Sequence, residues 1–116
     1  MQSRLCYETA RKHGKSVIIM EPVKGGALAS LAPEARAVLE AQNPDVSVAS
    51  WAMRFAAQLD WVITVLSGMS DEAQMRDNIR TVSANTPLSD ADKKALDQAI
   101  EILAAVPTTP CTNCRY

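Results

Sequence analysis

Val17-Ile18-Ile19-Met20-Glu21-Pro22-Val23-Lys24-Gly25-Gly26 joins a short apolar run to a loop that contains two glycines. A second stretch has the same design, since Trp61-Val62-Ile63-Thr64-Val65-Leu66 is followed by Ser67-Gly68-Met69-Ser70. Apolar runs without alternation are typical of strands that are buried on both faces of a parallel sheet. Ligands bind at the carboxyl ends of such strands, which is where both loops lie. The sequence therefore predicts an α/β fold in which these two loops form one side of a ligand site.

Length and composition limit the classes of protein that fit. The 116 residues suffice for one small domain, and 47% apolar with 22% charged residues is ordinary for a soluble globular protein. A net charge of −1 favours neither nucleic acid nor an anionic membrane as a partner. No apolar run reaches the roughly 20 residues of a membrane-spanning helix. Because the N-terminal residues also lack the pattern of a secretory signal, we expect a cytoplasmic location.

Hydrophobic periodicity and capping residues predict the order α-β-α-α-β-α-α. The predicted helices cover 2–13, a segment that begins at Pro33, 47–58, 71–81 and 89–104, and the strands cover 16–20 and 61–66. Trp51 and Phe55 are expected in the core. The last helix is expected to bury a stripe formed by Leu96, Ala99, Ile100 and Leu103. The tail, 107–116, is predicted to be irregular.

The small number of strands raises a physical difficulty. A sheet of two parallel strands is marginal by itself, has two open edges and needs cover on both faces. Either the chain associates with copies of itself, or it is a piece of a larger sheet. The first helix begins without a cap and the tail stops just after a Cys-x-x-Cys, so we expect a piece of a larger protein.

Five segments, in this order and spacing, resemble the C-terminal part of aldo/keto reductases. Residues 17–28 resemble the seventh strand and its loop, and 50–55 the helix that follows. Residues 62–78 resemble the eighth strand, its loop and the helix that holds the adenosine end of NADPH. Residues 89–92 resemble the start of the closing helix, and 110–116 the beginning of a ferredoxin-like tail found in one bacterial branch.

The resemblance implies a partial (β/α)8 TIM barrel that is helix-rich and contains the last two strands with their helices. Residues 1–106 would be the C-terminal portion of the reductase barrel, and 107–116 the start of a truncated iron–sulfur segment. The implied activity is NAD(P)-dependent reduction of a small carbonyl substrate, or the reverse oxidation. The catalytic Asp, Tyr, Lys and His of the family lie on earlier strands. Because Tyr7, His13 and Tyr116 do not correspond to them, we expect no catalytic residue here and no activity from the chain alone.

The resemblance also implies which residues contact the cofactor. In the first loop, glycine lets backbone amides approach the pyrophosphate, and Lys24 supplies a point charge. Met20 takes the position at which the family usually has an aromatic ring against the nicotinamide. The implied cofactor-binding residues of this loop are Met20, Glu21, Pro22, Val23, Lys24 and Gly25. The alternative is a plain strand-to-helix turn.

The second loop leads into a helix whose free amides point toward any ligand there. The hydroxyls of Ser67 and Ser70 would bind the phosphate on the adenosine ribose, and Asn78 the amino edge of adenine. The implied cofactor-binding residues are Ser67, Gly68, Met69, Ser70, Gln74 and Asn78. Lysine and arginine are absent from the loop and from position 74, so the sequence leaves NADP and NAD both open. The alternative makes Ser70 or Asp71 a helix cap and Asn78 a surface residue.

The cysteines predict a third kind of site. Cys111 and Cys114 are spaced to hold a metal from one side, but an iron–sulfur cluster or a structural zinc needs about four ligands. The resemblance implies an iron–sulfur cluster in the complete protein. One alternative is a dimer in which four thiolates from two chains bind zinc. The simplest interpretation is two free or oxidised thiols. Cys6 and His13 share a helix face, where the histidine more simply complements the helix dipole. Two alternative functions follow: a non-catalytic self-associating module, or a metal-binding domain.

Overall fold

The computed structural model describes residues 2–107. Along these residues run α1 (Gln2–Lys12), β1 (Val17–Met20), α2 (Pro33–Gln42), α3 (Val48–Ala57), β2 (Val62–Leu66), α4 (Glu72–Ala84) and α5 (Asp90–Ala105). The order agrees with the prediction. Within residues 2–107, no helix is long and apolar enough to cross a bilayer.

The two strands pair in parallel, as predicted. Ile18 lies opposite Thr64 and Met20 opposite Leu66, and the register shifts once, just before Ile18. The connection from β1 to β2 runs through α2 and α3, because parallel neighbours need a long crossover.

The prediction that both strands are buried on both faces is wrong for this chain. One face is half-buried, with α3 packed against β2, and contains Val17, Ile19, Val62 and Val65. The opposite face is exposed, and we call it the uncovered sheet face; it consists of Ile18, Met20, Ile63, Thr64 and Leu66. The reason is the strand count, since none of the described elements packs over this side.

The core lies away from the sheet, among α2, α3 and α5. Its buried members are Ala35, Leu39, Trp51, Leu88, Ala95 and Ala99. Trp51 is 2% exposed, which confirms that prediction, but Phe55 is 54% exposed and Ile100 is 59% exposed. The prediction for these two residues is wrong because each lies on its helix beyond the surface that the neighbouring helices cover.

Capping residues explain where the later helices begin and end. The Ser89 hydroxyl accepts a hydrogen bond from the Asp92 amide, and the Asp92 carboxylate accepts one from the Ser89 amide, which completes a capping box for α5. Asn85 adopts the left-handed conformation (φ 43°) and ends α4 at Ala84, three residues later than predicted. Both signals are local, so the sequence is sufficient to place the start of α5.

Candidate functional site

The parallel register brings the two predicted loops to one end of the sheet. Met20 ends β1, Leu66 ends β2, and these two residues are partners across the strand pair. The loop that begins at Glu21 and the loop that begins at Ser67 therefore leave the sheet side by side. This arrangement is the one that the sequence predicted for a ligand site at the carboxyl ends of the strands.

The first loop is a series of tight turns. Glu21, Lys24, Gly25 and Gly26 all have positive φ, at 51°, 49°, 61° and 93°. For the two glycines this conformation carries no steric penalty, whereas for Glu21 and Lys24 it costs of the order of 1 kcal/mol each. Strain of this kind persists only where the surrounding structure imposes it, so the shape of the loop is well specified.

Hydrogen bonds inside the first loop occupy several of the amides that were expected to face a phosphate. The Lys24 amide donates to the Glu21 carbonyl (3.0 Å), and the Gly26 amide donates to the Val23 carbonyl (3.1 Å). Pro22 and Val23 are half-buried, whereas Lys24 and Gly25 are exposed. A Cβ built on Gly25 meets no atom within 4 Å, so the space above it is open. The loop thus offers an anion the Lys24 ammonium group and an open approach at Gly25.

Asp71 caps α4 in the second loop. Its carboxylate accepts a hydrogen bond from the Gln74 amide (2.8 Å), and the Gln74 side chain donates to the same carboxylate (2.8 Å). The Gln74 oxygen in turn accepts from the Ser70 amide (3.0 Å). The alternative that makes Asp71 a cap is therefore correct as to local structure. A carboxylate already stands at the positive end of this helix, where a phosphate would otherwise be favoured.

Asn78 joins α4 to the second loop. Its side-chain amide donates to the Ser67 hydroxyl (3.0 Å), and both residues are half-buried. The neighbouring Asp77 accepts a hydrogen bond from the hydroxyl of Ser47, which caps α3. The hydrogen bond to Ser67 therefore holds the Asn78 side chain directly. The hydrogen bond between Ser47 and Asp77 holds its helix, α4, against α3. Among the described residues, the side-chain carbonyl oxygen of Asn78 accepts no hydrogen bond.

We call the strand end and the two loops at this end of the sheet, residues 20–26 and 67–70, the rim. Two methionines lie on its apolar side. Met20 is 72% exposed at the end of β1, and Met69 is 43% exposed in the second loop. Thioether side chains adapt to flat ligands but do not stack as an aromatic ring does. Gly68, between the two serines of the second loop, has no atom within 4 Å of a built Cβ. The rim is largely exposed, and neither of the two clefts found among the described residues includes it.

A cleft of about 210 Å³ lies elsewhere, between α3, α4 and the turn after α2. Arg54 and Arg80, which contribute to its wall, are already paired with Asp92 and Asp77. None of the residues that the sequence predicted for the cofactor lines it. The cleft therefore has no free cation for an anionic ligand, and the rim at the strand ends remains the candidate site.

A buried ion pair is the polar feature that sequence reasoning missed. Arg54 and Asp92 are 8% and 7% exposed, and Arg54 Nη2 donates to Asp92 Oδ2 at 3.0 Å. Arg54 also donates to the carbonyls of Thr86 and Pro87 and lies 5.5 Å from the centre of the Trp51 ring. The signal was present: Arg54 follows Trp51 by three residues on one helix face.

The environment of Asp92 holds it in the charged form. Burial raises the pKa of its carboxyl, but the hydrogen bonds from the Ser89 amide, Arg54 and Gln42 outweigh burial and bring the pKa below its ordinary value. Asp92 thus joins three elements: the cap of α5, the middle of α3 and the end of α2. The cluster fixes the helical layer behind the sheet and plays no part at the rim.

The predicted metal ligands Cys111 and Cys114 lie outside the described residues. Within residues 2–107, no group of three or more His, Cys, Asp or Glu side chains is arranged to hold a metal. Cys6 is exposed on α1, and His13 is exposed just beyond that helix. The whole chain has three cysteines, so the donor set does not fit a cluster that needs about four thiolates.

A model of the aldo/keto reductase family matches residues 1–101. The match includes both loops at the strand ends, all of α4 and most of α5. It stops before the segment that contains Cys111 and Cys114. No curated protein and no solved structure matches the chain.

Proposed function

Because the chain belongs to the aldo/keto reductase family, we propose that it forms the nucleotide-holding rim of an NAD(P)-dependent oxidoreductase. The observation that carries the proposal is the parallel register, in which Met20 faces Leu66 and both loops leave the same end of the sheet. The reaction would interconvert a small carbonyl compound and the corresponding alcohol, and the nicotinamide cofactor would supply or accept the hydride. On this proposal the chain is a piece of a barrel.

Each part of the rim has a role in the proposal. Lys24 neutralises the pyrophosphate, and the open space above Gly25 admits it. The Ser67 and Ser70 hydroxyls bind the adenosine ribose, and Asn78 offers its carbonyl oxygen to the adenine amino group. Met20 packs against the nicotinamide. Binding at the adenosine end requires little rearrangement, because the hydrogen bond from Asn78 to Ser67 already holds that side chain beside the loop.

The charges of the second loop favour NADH over NADPH within this proposal. The Asp71 carboxylate occupies the N-terminus of α4, and a second anion there would be repelled. Gln74 is neutral and is engaged with Asp71 and Ser70. Arg76, the nearest cation along the helix, is paired with Glu72. The cofactor with the smaller negative charge at the adenosine ribose is therefore expected to bind more tightly.

The proposal assigns binding to this chain and assigns the chemistry to residues that it does not contain. We expect no turnover of carbonyl substrates by the 116-residue protein, and weak binding with a dissociation constant on the order of millimolar. A cytoplasmic location belongs to the same proposal and rests on the sequence. The three cysteines of this chain are too few to hold an iron–sulfur cluster by themselves, so a cluster would need further ligands from the complete protein.

Titration of NADH and NADPH into the ¹⁵N-labelled chain tests the proposal. NADH is expected to shift the amide signals of residues 67–70 and 24–25, with weaker binding of NADPH. N78A removes the adenine contact and should weaken NADH binding by about 5-fold, since one directional hydrogen bond is worth roughly 1 kcal/mol. N43A is the matched control, because Asn43 is also half-buried and lies away from the rim. Absence of any shift with NADH and NADPH contradicts the proposal, as does equal weakening by N78A and N43A.

The uncovered sheet face favours a second candidate function, which is association of the chain with itself. Exposed strand edges and apolar faces promote pairing with another chain. Met20 belongs both to this face and to the rim, so association through the face would cover one of the residues that the first proposal assigns to the cofactor.

A further inference from the structure

We propose that Ser67 sets the base preference of the nucleotide site by holding the side-chain amide of Asn78 in one orientation. The site then accepts adenine and rejects a base that has a carbonyl group in place of the adenine amino group. Because Ser67 acts at the adenosine end of the same site, this inference rests on the proposed function. It names the class of ligand as nucleotides whose base has an exocyclic amino group.

A hydrogen bond between two half-buried side chains orients Asn78. Its Nδ2 donates to the Ser67 hydroxyl at 3.0 Å, whereas its Oδ1 accepts from no group among residues 2–107. A side-chain amide is planar, with a donor group on one edge and an acceptor oxygen on the other. Since the nitrogen is turned toward Ser67, the oxygen is the atom that this amide can offer to a base.

The hydroxyl of Ser67 fixes this orientation when its own proton is engaged elsewhere. A serine hydroxyl donates one proton and also accepts, so in an empty site the amide could turn over and accept from Ser67 instead. In the proposed site, Ser67 donates its proton to an oxygen of the adenosine ribose. It can then only accept from Asn78, and the amide nitrogen has to face it, as it does in the structure. Ribose binding and the orientation of Asn78 are therefore coupled through one proton.

The helix that contains Asn78 is held in place by contacts that do not involve the ligand. The preceding residue, Asp77, accepts hydrogen bonds from the hydroxyl of Ser47 and from Arg80 (2.9 Å). Ser47 caps α3, so the first of these contacts joins α4 to α3. Because α4 is fixed in this way, the side-chain amide of Asn78 is the part that can still turn. Ser67 is its hydrogen-bond partner within the described part of the chain.

The two orientations of the amide select different bases. Adenine has an amino group that donates to the Asn78 oxygen, whereas hypoxanthine has a carbonyl oxygen on the same ring carbon. If the Asn78 oxygen faces that carbonyl, two acceptors meet and both lack a hydrogen bond. A polar group left unpaired in this way costs more than a lost contact alone. We therefore expect NADH to bind about 10-fold more tightly than its analogue with hypoxanthine in place of adenine.

The test measures the dissociation constants of NADH and of reduced nicotinamide hypoxanthine dinucleotide by titration into the ¹⁵N-labelled chain. The ratio of the two constants should be about 10 for the unaltered chain. S67A lets the amide turn over and donate to the hypoxanthine carbonyl, so the ratio should fall below about 3. S67T retains a hydroxyl and should retain the ratio.

S70A is the matched control, because Ser70 is the other hydroxyl that the proposed function assigns to the ribose. Its side chain contacts Gln74 and makes no hydrogen bond to Asn78 within the described residues. S70A should therefore weaken the binding of both dinucleotides by the same factor and leave the ratio near its original value of about 10.

A double substitution separates the orientation of the amide from the packing around it. When S67A is combined with N78D, a carboxylate presents an oxygen to the base whichever way it turns. The preference for NADH should then return to at least about 10-fold. A merely structural role of Ser67 would change both dissociation constants together and leave their ratio constant in all variants.

The outcomes distinguish this inference from the proposed function. Equal binding of the two dinucleotides by the unaltered chain overturns the inference and leaves the proposed function standing. Equal ratios in S67A and S70A also overturn it, as does a double variant, S67A with N78D, that shows no preference. If the unaltered chain binds neither dinucleotide, the proposed function is wrong and the inference fails with it.

Discussion

Replacing Arg54 by methionine should lower the free energy of unfolding more than replacing any exposed arginine by methionine does. Arg54 donates to Asp92 (3.0 Å) and to the carbonyls of Pro87 (3.3 Å) and Thr86 (3.4 Å), and its guanidinium group packs against Trp51. Methionine preserves much of the side-chain volume, so the loss comes chiefly from the charge and the hydrogen bonds. The substitution leaves the Asp92 carboxylate buried without its cation.

The size of the effect follows from what remains around Asp92. Breaking a buried ion pair by removing one partner costs about 3–5 kcal/mol. The amide of Ser89 (3.0 Å) and the side chain of Gln42 (3.2 Å) still donate to Asp92, which places R54M near the lower end, at about 3 kcal/mol. A domain of this length has a free energy of unfolding of roughly 6 kcal/mol or more, so the substitution removes up to about half of it.

Urea unfolding, followed by circular dichroism and by tryptophan fluorescence, measures the free energy of unfolding of R54M and of the control R80M. Arg80 is 68% exposed and pairs with Asp77 on the surface, so R80M should cost less than about 1 kcal/mol. The reasoning is refuted if R54M costs no more than R80M, because the buried pair would then contribute nothing beyond a surface contact.

Three further predictions concern Asp92, Ser89 and Asp71. The pKa of Asp92 is lowered in the folded state, so its contribution to stability is complete above about pH 5 and is lost as the pH falls below about 4. Urea titrations should therefore show that the difference in unfolding free energy between the native chain and D92N shrinks over that range. S89A removes the cap of α5 and should lower the free energy of unfolding by about 1 kcal/mol, measured by thermal unfolding. The control S83A, at an exposed position of α4, should cost less than about 0.5 kcal/mol. Equal effects of the two substitutions would argue against the capping box. D71S keeps a capping oxygen but removes the carboxylate from the start of α4. Calorimetry should therefore detect several-fold tighter binding of adenosine 2′,5′-bisphosphate, because the repulsion between two anions is gone. An unchanged affinity would contradict this electrostatic explanation of the second loop.

Local signals predicted the secondary structure well. The two apolar runs are strands, Ser89 caps α5, and Trp51 is buried, because periodicity and capping depend on residues close together in the chain. The parallel pairing also followed, since unbroken apolar runs are typical of parallel strands.

Burial could not be predicted from the same signals. An apolar run shows that a strand is suited to burial on both faces, but whether both faces are covered depends on how many other elements surround it. Phe55 and Ile100 fit a helical stripe and are nevertheless exposed, because α3 and α5 are each covered over a narrower arc than their apolar residues occupy. The uncovered sheet face has the same cause, because the strand pair has more apolar surface than the described elements around it cover.

The position of the two loops could be predicted from the sequence, but their internal hydrogen bonds could not. The sequence indicated that both loops lie at one end of the sheet, and the register agrees. It did not indicate that the amides of Lys24 and Gly26 donate within their own loop, or that Gln74 folds onto Asp71 and Ser70. These contacts depend on left-handed backbone conformations and side-chain rotamers, which have no periodic signature in a sequence.

We propose that two parallel strands place both loops on one rim, and that this rim binds a dinucleotide. Adding NADH to the ¹⁵N-labelled chain shows which amide signals shift. We expect concerted shifts in both loops, at Lys24 and Gly25 and at Ser67 and Ser70, that saturate together with one dissociation constant. Shifts in one loop alone, or shifts confined to the helical layer around Arg54, would contradict it.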